Sequence, residues 1–237
     1  MSGLKFPNES EEYREARNKL LSDEIELRRQ VEAVEARPRA LPPGGEVPQD
    51  YLFERIGKNL MPEKVPMSEL FGRHRTLILY SFMYGSEREA RCPMCTHLLD
   101  SINGGARHVN QRASLYIVAK SPVAPLVAWA RKRGWDDLDL ISTAGNSYDA
   151  DYLGNTSKLP APLHKERVKD GQDYDETMFN VFRLIDGRVR HFWGSELTWA
   201  PMDPGQHHRS GDDVNALWGF LDMTPEGREQ FMPKLTC

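Results

Sequence analysis

Thr76-Leu77-Ile78-Leu79-Tyr80-Ser81-Phe82, followed after a short connection by Cys92-Pro93-Met94-Cys95-Thr96-His97-Leu98-Leu99-Asp100, decides the fold of this chain. The first run is apolar and reads as a buried strand. The second is helix-like and carries two cysteines at its start. A strand that delivers a cysteine pair to the beginning of a helix is an arrangement for thiol chemistry. Both sulfurs can close a small disulfide ring, and the helix N-terminus stabilises a thiolate. Pro93 suits the first helical turn, where no amide donor is needed. Cys92 is the candidate nucleophile, with Arg91 adding a positive charge beside it. Cys95 lies one turn further in and is the candidate resolving thiol, which displaces the mixed disulfide formed by Cys92. The same two thiolates can hold a soft metal, so the motif alone leaves redox exchange and metal binding open.

The 237 residues suffice for one large or two small domains, and the formal net charge of −4 gives no sign of a nucleic-acid partner. No apolar run approaches the roughly 18 residues that span a bilayer, so no membrane association is expected. The N-terminal ten residues contain no signal-peptide core. A cytoplasmic location follows as the expectation. In a reducing compartment, three cysteines argue against structural disulfides, and a close pair is catalytic or metal-binding instead.

Around the cysteine motif the pattern is α/β. A long helix is expected over 8–36, capped by Asn8 with Glu11 completing a capping box. Tyr13, Leu20, Leu27 and Val34 recur along it every seven residues. That stripe needs a partner surface, either its own domain or a second copy in a homodimer. Pro38, Pro42, Pro43, Gly44, Gly45 and Pro48 form a linker, which divides the chain into 1–50 and a globular domain over 51–237. Residues 67–72 read as a turn of helix, 113–119 as a second strand, 122–133 as a helix closed by Gly134, and 138–142 as a third strand. Residues 144–176 are polar and irregular, a long insertion ahead of a hairpin. That hairpin is Asn180-Val181-Phe182-Arg183-Leu184-Ile185 and Val189-Arg190-His191-Phe192-Trp193 around Asp186-Gly187. A last helix is expected near 213–221. The order strand–CxxC–helix–strand–helix–strand–hairpin–helix is that of a thioredoxin-like mixed sheet flanked by helices.

Over nearly its whole length the chain resembles the DUF899 proteins, a bacterial group regarded as thioredoxin-like and as predicted dithiol–disulfide oxidoreductases. The resemblance rests on an ordered set of segments. These are Ala16-Arg17-Asn18-Lys19-Leu20-Leu21, Leu79-Tyr80-Ser81-Phe82-Met83-Tyr84-Gly85, Cys92-Pro93-Met94-Cys95, Gly134-Trp135, Ile141-Ser142-Thr143-Ala144-Gly145 and Leu221-Asp222-Met223-Thr224-Pro225-Glu226-Gly227-Arg228. It implies a thioredoxin-like fold. The cysteine pair at the strand-to-helix junction itself suggests a disulfide or peroxide substrate with a thiol electron donor, without a required cofactor. Thioredoxins place a cis-proline before the strand that enters the last hairpin, facing the cysteines. Here that stretch is Glu176-Thr177-Met178-Phe179, without proline, which leaves room for a third ligand.

The alternative is therefore a copper- or zinc-binding protein or metallochaperone, using Cys92 and Cys95 with His191, His207 or His208. His97, two residues beyond Cys95, is a further imidazole nearby. Cys237 reads as a frayed end or as an electron shuttle. Asp149 and Asp151 are expected as surface carboxylates, and Trp193, Trp199 and Trp218 as core.

Overall fold

The computed structural model describes residues 3–85, 88, 91–168, 174–207, 209 and 211–235. Internal contacts divide the chain into two units that meet between Pro43 and Gly44. The first unit holds one long helix, α1 (Glu11–Ala36). Its cap is Ser10, whose hydroxyl accepts from the Tyr13 amide, and not Asn8, which takes a positive φ of 61° outside the helix. None of its residues is buried, and Tyr13, Leu20, Leu27 and Val34 of the heptad stripe are exposed along it.

The second unit begins with a strap, because Glu46 pairs with Arg190 and Val47 donates to the Val189 carbonyl. This places residues 44–47 with the sheet, earlier in the chain than Tyr51, where the sequence puts the start of the globular part. Next come β1 (Leu52–Ile56), β2 (Pro62–Pro66), the helical turn α2 (Met67–Leu70), β3 (Thr76–Ser81) and the cysteine helix α3 (Pro93–Val109). β4 (Ser114–Ala119), α4 (Val123–Arg133) and β5 (Asp139–Ser142) complete the alternating half. The insertion contains α5 (Tyr148–Asp151) and α6 (Ala161–Arg167), and β6 (Met178–Ile185), β7 (Arg188–Gly194) and α7 (Ala216–Asp222) finish the chain.

The sheet runs β2-β1-β5-β4-β3-β6-β7. β3 pairs with β4, and β4 with β5, in parallel, while β6 lies antiparallel beside β3 and turns back into β7. This is the thioredoxin-like arrangement, extended by the β1–β2 hairpin on the far edge. Two turns follow from glycine. Gly134 closes α4 at φ 70°, its amide reaching the Ala130 and Arg131 carbonyls. Asp186 and Gly187 take φ 50° and 75°, the left-handed pair that matches strand twist in a tight hairpin.

The β1–β2 hairpin does not show in the sequence pattern. Each of its strands buries one apolar side chain across the pair, Phe53 opposite Val65. Besides the exposed Leu52 and the half-buried Ile56, the rest is charge and proline, with Arg55 paired to Glu63 and Lys64 to Glu54. Edge strands are built this way to discourage further pairing, and the same composition hides their periodicity.

Side chains alternate across β3 and divide the core in two. Tyr80 and Phe82 face α3 and α4, packing with Leu98, Leu99, Leu126 and Trp129. Leu77 and Leu79 face the other way, into a cluster with Tyr51, Phe53, Leu70, Phe71, Ile141, Tyr148 and Phe182. The insertion is thus only partly surface. Tyr148 is fully buried and meets Phe53 edge-on with centroids 5.3 Å apart. Phe182 is also fully buried, on the strand that ties the hairpin to β3. Phe182→Ala is expected to cost about 3–5 kcal/mol in urea unfolding, from lost transfer energy and the cavity left behind. A loss under about 1 kcal/mol would contradict this packing.

Among the described residues, no helix is long and apolar enough to cross a membrane.

Candidate active site

β3 ends at Ser81, and the chain returns to the same edge of the sheet at Cys92, where the Cys92 amide donates to the Met83 carbonyl at 3.3 Å. Cys92 is the N-cap of α3 in extended conformation, and Pro93 occupies the first turn, where its missing amide proton costs nothing. The Cys92 sulfur accepts from the Cys95 amide at 3.5 Å. Both cysteines are free thiols, Cys92 partly exposed and Cys95 buried.

The two sulfurs sit in opposed electrostatic states. The Cys92 thiol is lowered to about 6. Its largest cause is the hydrogen bond from Cys95, followed, against the penalty of burial, by the first-turn amides of Cys95 and Met94 and the charge of Arg88. Cys95 is pushed well above an ordinary thiol by burial and by its neighbour, with the Tyr80 hydroxyl partly relieving it through a hydrogen bond. One sulfur is held ready as a thiolate, and the other keeps its proton.

Arg91, next to Cys92, does not supply the charge expected of it. Its guanidinium lies between two rings, 4.6 Å from the centroids of both Tyr84 and Trp129, and donates to the Tyr84 hydroxyl at 2.6 Å. The cation that lowers Cys92 is Arg88, held by an ion pair to Asp175 and by a 2.9 Å bond to the Asp175 carbonyl. Asp175 is buried and also accepts from the Gly85 amide at 2.6 Å. Thr177 donates to the Tyr80 hydroxyl at 2.9 Å. Sequence reasoning missed Arg88, Tyr80, Asp175 and Thr177. Tyr80 alone was accessible, since its parity along β3 puts it on the side of the cysteine helix.

The place of the thioredoxin cis-proline is filled. No cis peptide bond occurs among the described residues. Phe179 packs on Tyr80 with the rings tilted by 39° and centroids 4.5 Å apart, and lies against the cluster that contains Cys95.

The histidines lie elsewhere. His191 stacks on Tyr152 and meets Phe182 edge-on, in the core on the opposite face of the sheet, where it bonds Asn180 at 2.9 Å. The expectation that it approaches the cysteines is corrected by the register, because His191 sits across from Phe182, whose side chain points away from α3. His97 and His207 both pack on Trp218, and His97 is bonded by Asn215 at 2.9 Å. His208 and Cys237 lie outside the described residues. Among the described residues, no group of three or more His, Cys, Asp or Glu side chains is placed to hold a metal ion.

Asp149 is not the surface carboxylate expected. It is 5% exposed and accepts from the Thr143 hydroxyl, and Asp149 and Ser81 crowd around Gly154, where a Cβ would come within 2.9 Å of both their oxygens. Burial pushes its carboxyl up to about 6, with Asp175 adding to the rise and Lys120 opposing it. A folded value above the unfolded one means that the protonated form favours folding. That contribution is complete below the unfolded value and is lost as pH rises through about 6. Asp149→Asn keeps an acceptor for Thr143 and removes the buried charge. Its stability relative to wild type should improve between pH 5 and 7.5 by about 1.4 kcal/mol, read from unfolding at both pH values. A pH-independent difference would contradict the assignment.

The chain matches the family described as "Bacterial protein of unknown function (DUF899)" over residues 4–236. It belongs to the DUF899 family. No curated protein matches it. Solved structures similar to this DUF899 protein include peroxidoxin BcpB from Mycobacterium tuberculosis, at 17% identity and TM-score 0.44 over 74% of this chain and 95% of that one. Another is reduced Prx3 from Vibrio vulnificus in complex with hydrogen peroxide, at 12% identity and TM-score 0.43 over 73% and 96%. A hypothetical protein from Sinorhizobium meliloti matches at 13% identity and TM-score 0.42 over 75% and 82%.

Proposed function

We propose that this DUF899 protein is a thiol–disulfide oxidoreductase in which Cys92 attacks a disulfide or peroxide and Cys95 resolves the product. The observation that carries this reading is the placement of the two thiols, a partly exposed Cys92 at the mouth of α3 that accepts from the Cys95 amide and a buried Cys95 one turn behind it, which lowers the first thiol and raises the second. With a disulfide, the Cys92 thiolate displaces one sulfur as a thiolate and forms a mixed disulfide. Cys95 then loses its proton, attacks the Cys92 sulfur and releases the second thiol, so two electrons pass to the substrate. With a peroxide, the thiolate takes one oxygen and the leaving alkoxide or hydroxide is protonated. Cys95 condenses with the resulting sulfenic acid and releases water. Either route leaves a Cys92–Cys95 disulfide, which an external thiol donor reduces.

The test is alkylation of the reduced chain by iodoacetamide across pH, in a Cys237→Ser background so that only the motif is counted. Labelling of Cys92 should rise with a midpoint near about 6, while Cys95 stays unlabelled in the folded protein. A midpoint at the ordinary thiol value, near 8.5, would overturn the reading.

A further inference from the structure

Resting on that reading, we propose that residues 175–177 control the two thiols separately, Asp175 acting on Cys92 through Arg88 and Thr177 acting on Cys95 through Tyr80. These residues lead directly into β6 (Met178–Ile185), beside the strand that ends at the active site. They are the only point at which a single short segment reaches both sulfurs among the contacts described above.

The first arm is ionic. The Asp175 carboxylate is shared between the Arg88 guanidinium and the Gly85 amide, and the Asp175 carbonyl accepts from Arg88 as well. Arg88 is thereby fixed in two places by one buried residue. Its charge favours the Cys92 thiolate. A free arginine on a surface connection would spend its time in solvent, where water and salt screen it. Asp175 therefore acts as a positioning residue. Other charges around the pair are Glu176, which feels Arg167 and Arg88, and Asp149, which feels Asp175 and Lys120. Cys92 itself also faces Cys95 and, more distantly, Tyr80.

The second arm is a hydroxyl relay. The Thr177 hydroxyl donates to the Tyr80 oxygen at 2.9 Å, so the Tyr80 proton is free for another acceptor, and Tyr80 packs in the same buried cluster as Cys95, whose raised thiol its hydroxyl partly relieves. Tyr80 is 1% exposed and is held in place by the Phe179 ring, so its hydroxyl has few other orientations. Chained hydrogen bonds polarise one another, and the donor strengthens as negative charge forms on the acceptor. Cys95 must lose its proton to resolve the intermediate, and the Tyr80 hydroxyl is the group that meets that charge. Tyr80 touches a reacting atom and is a catalytic residue in this scheme, while Thr177 positions it.

The two arms make separable predictions. The probe is 5,5′-dithiobis(2-nitrobenzoate), reacted with the reduced full chain in the Cys237→Ser background. Attack by Cys92 releases one thionitrobenzoate and leaves the other bound as a mixed disulfide. Resolution by Cys95 releases the second and closes the Cys92–Cys95 bond. Asp175→Asn and Arg88→Gln should move the pH midpoint of the first phase up by about one unit, which below the midpoint is a roughly tenfold slower attack. Their second phase should keep the wild-type rate. Tyr80→Phe and Thr177→Val should leave the first phase alone and slow the second at least ~5-fold, the size of one lost charge-assisted hydrogen bond. An unmoved or lowered midpoint in Asp175→Asn overturns the first arm. An unchanged second phase in Tyr80→Phe overturns the second. Equal slowing of both phases in all the variants overturns the division of labour. A wild-type chain with no first phase overturns the parent reading and the proposal with it, whereas a biphasic wild type with unmoved variants overturns the proposal alone.

Discussion

Cys92→Ser is expected to abolish reduction of a small disulfide, lowering the rate by at least about a thousandfold to the uncatalysed background. Serine has the shape of cysteine but does not ionise near neutral pH, so the helix-mouth amides have no anion to stabilise. Cys95→Ser should behave differently. It retains the nucleophile and loses the resolving thiol, so a mixed disulfide with the substrate accumulates, visible as a mass increase that a reductant removes. The pair of outcomes separates the roles assigned to the two sulfurs. Normal turnover by Cys92→Ser would remove Cys92 as the nucleophile. Failure of Cys95→Ser to hold an adduct would remove Cys95 as the resolving group.

Arg228→Ala is expected to destabilise the fold strongly at a site away from the dithiol. Arg228 is buried and grips Asp222 with two bonds of 2.6 Å while a third, also 2.6 Å, reaches Asp212. Its guanidinium lies 5.3 Å over the Trp218 ring. Trp218 in turn meets His97 edge-on, on the helix that begins at Cys92. Removing the arginine leaves Asp212 and Asp222 to the more exposed Arg209 alone, at 3.6 and 3.2 Å, and uncovers the ring. Breaking a buried pair from one side costs about 3–5 kcal/mol. Asp222 is one-third exposed, so the low end applies. At about 2–4 °C per kcal/mol for a chain of this size, the melting temperature should fall by roughly 10 °C. Arg228→Lys should recover only part, because an ammonium cannot make the bidentate contact. A fall under about 2 °C for Arg228→Ala would contradict this role. The midpoint of Cys92 alkylation should stay unchanged in the variant, since the groups that set it are the Cys95 thiol, the first-turn amides of α3 and Arg88.

Much of this arrangement is legible in the sequence, for identifiable reasons. β3 shows as a strand because almost every residue in it is apolar, the mark of burial on both faces. Asp186-Gly187 announces its turn because that turn requires two left-handed residues. Cys92 and Cys95 declare themselves through their place between strand and helix. The β1–β2 hairpin is silent because an edge strand replaces the apolar pattern with charge. Tyr148 and Asp149 are hidden in a polar stretch, since the burial of Tyr148 depends on contacts with Phe53 and Phe182 far along the chain. Arg88 and Asp175 are equally hidden, because their pairing spans the whole alternating half of the fold. His191 misled for the reason that strand parity is fixed by register, and the β6–β7 register shifts between Val181 and Phe182. Counting along β7 alone does not give the face on which that imidazole lies.

The most direct measurement of the central claim is thiol counting with peptide mapping, before and after one equivalent of oxidant, on the full chain. The account predicts that the reduced protein loses the Cys92 and Cys95 thiols together and that the new bond maps between them, within one chain. Retention of both thiols, or a bond from either to a second chain in place of the internal one, would contradict it.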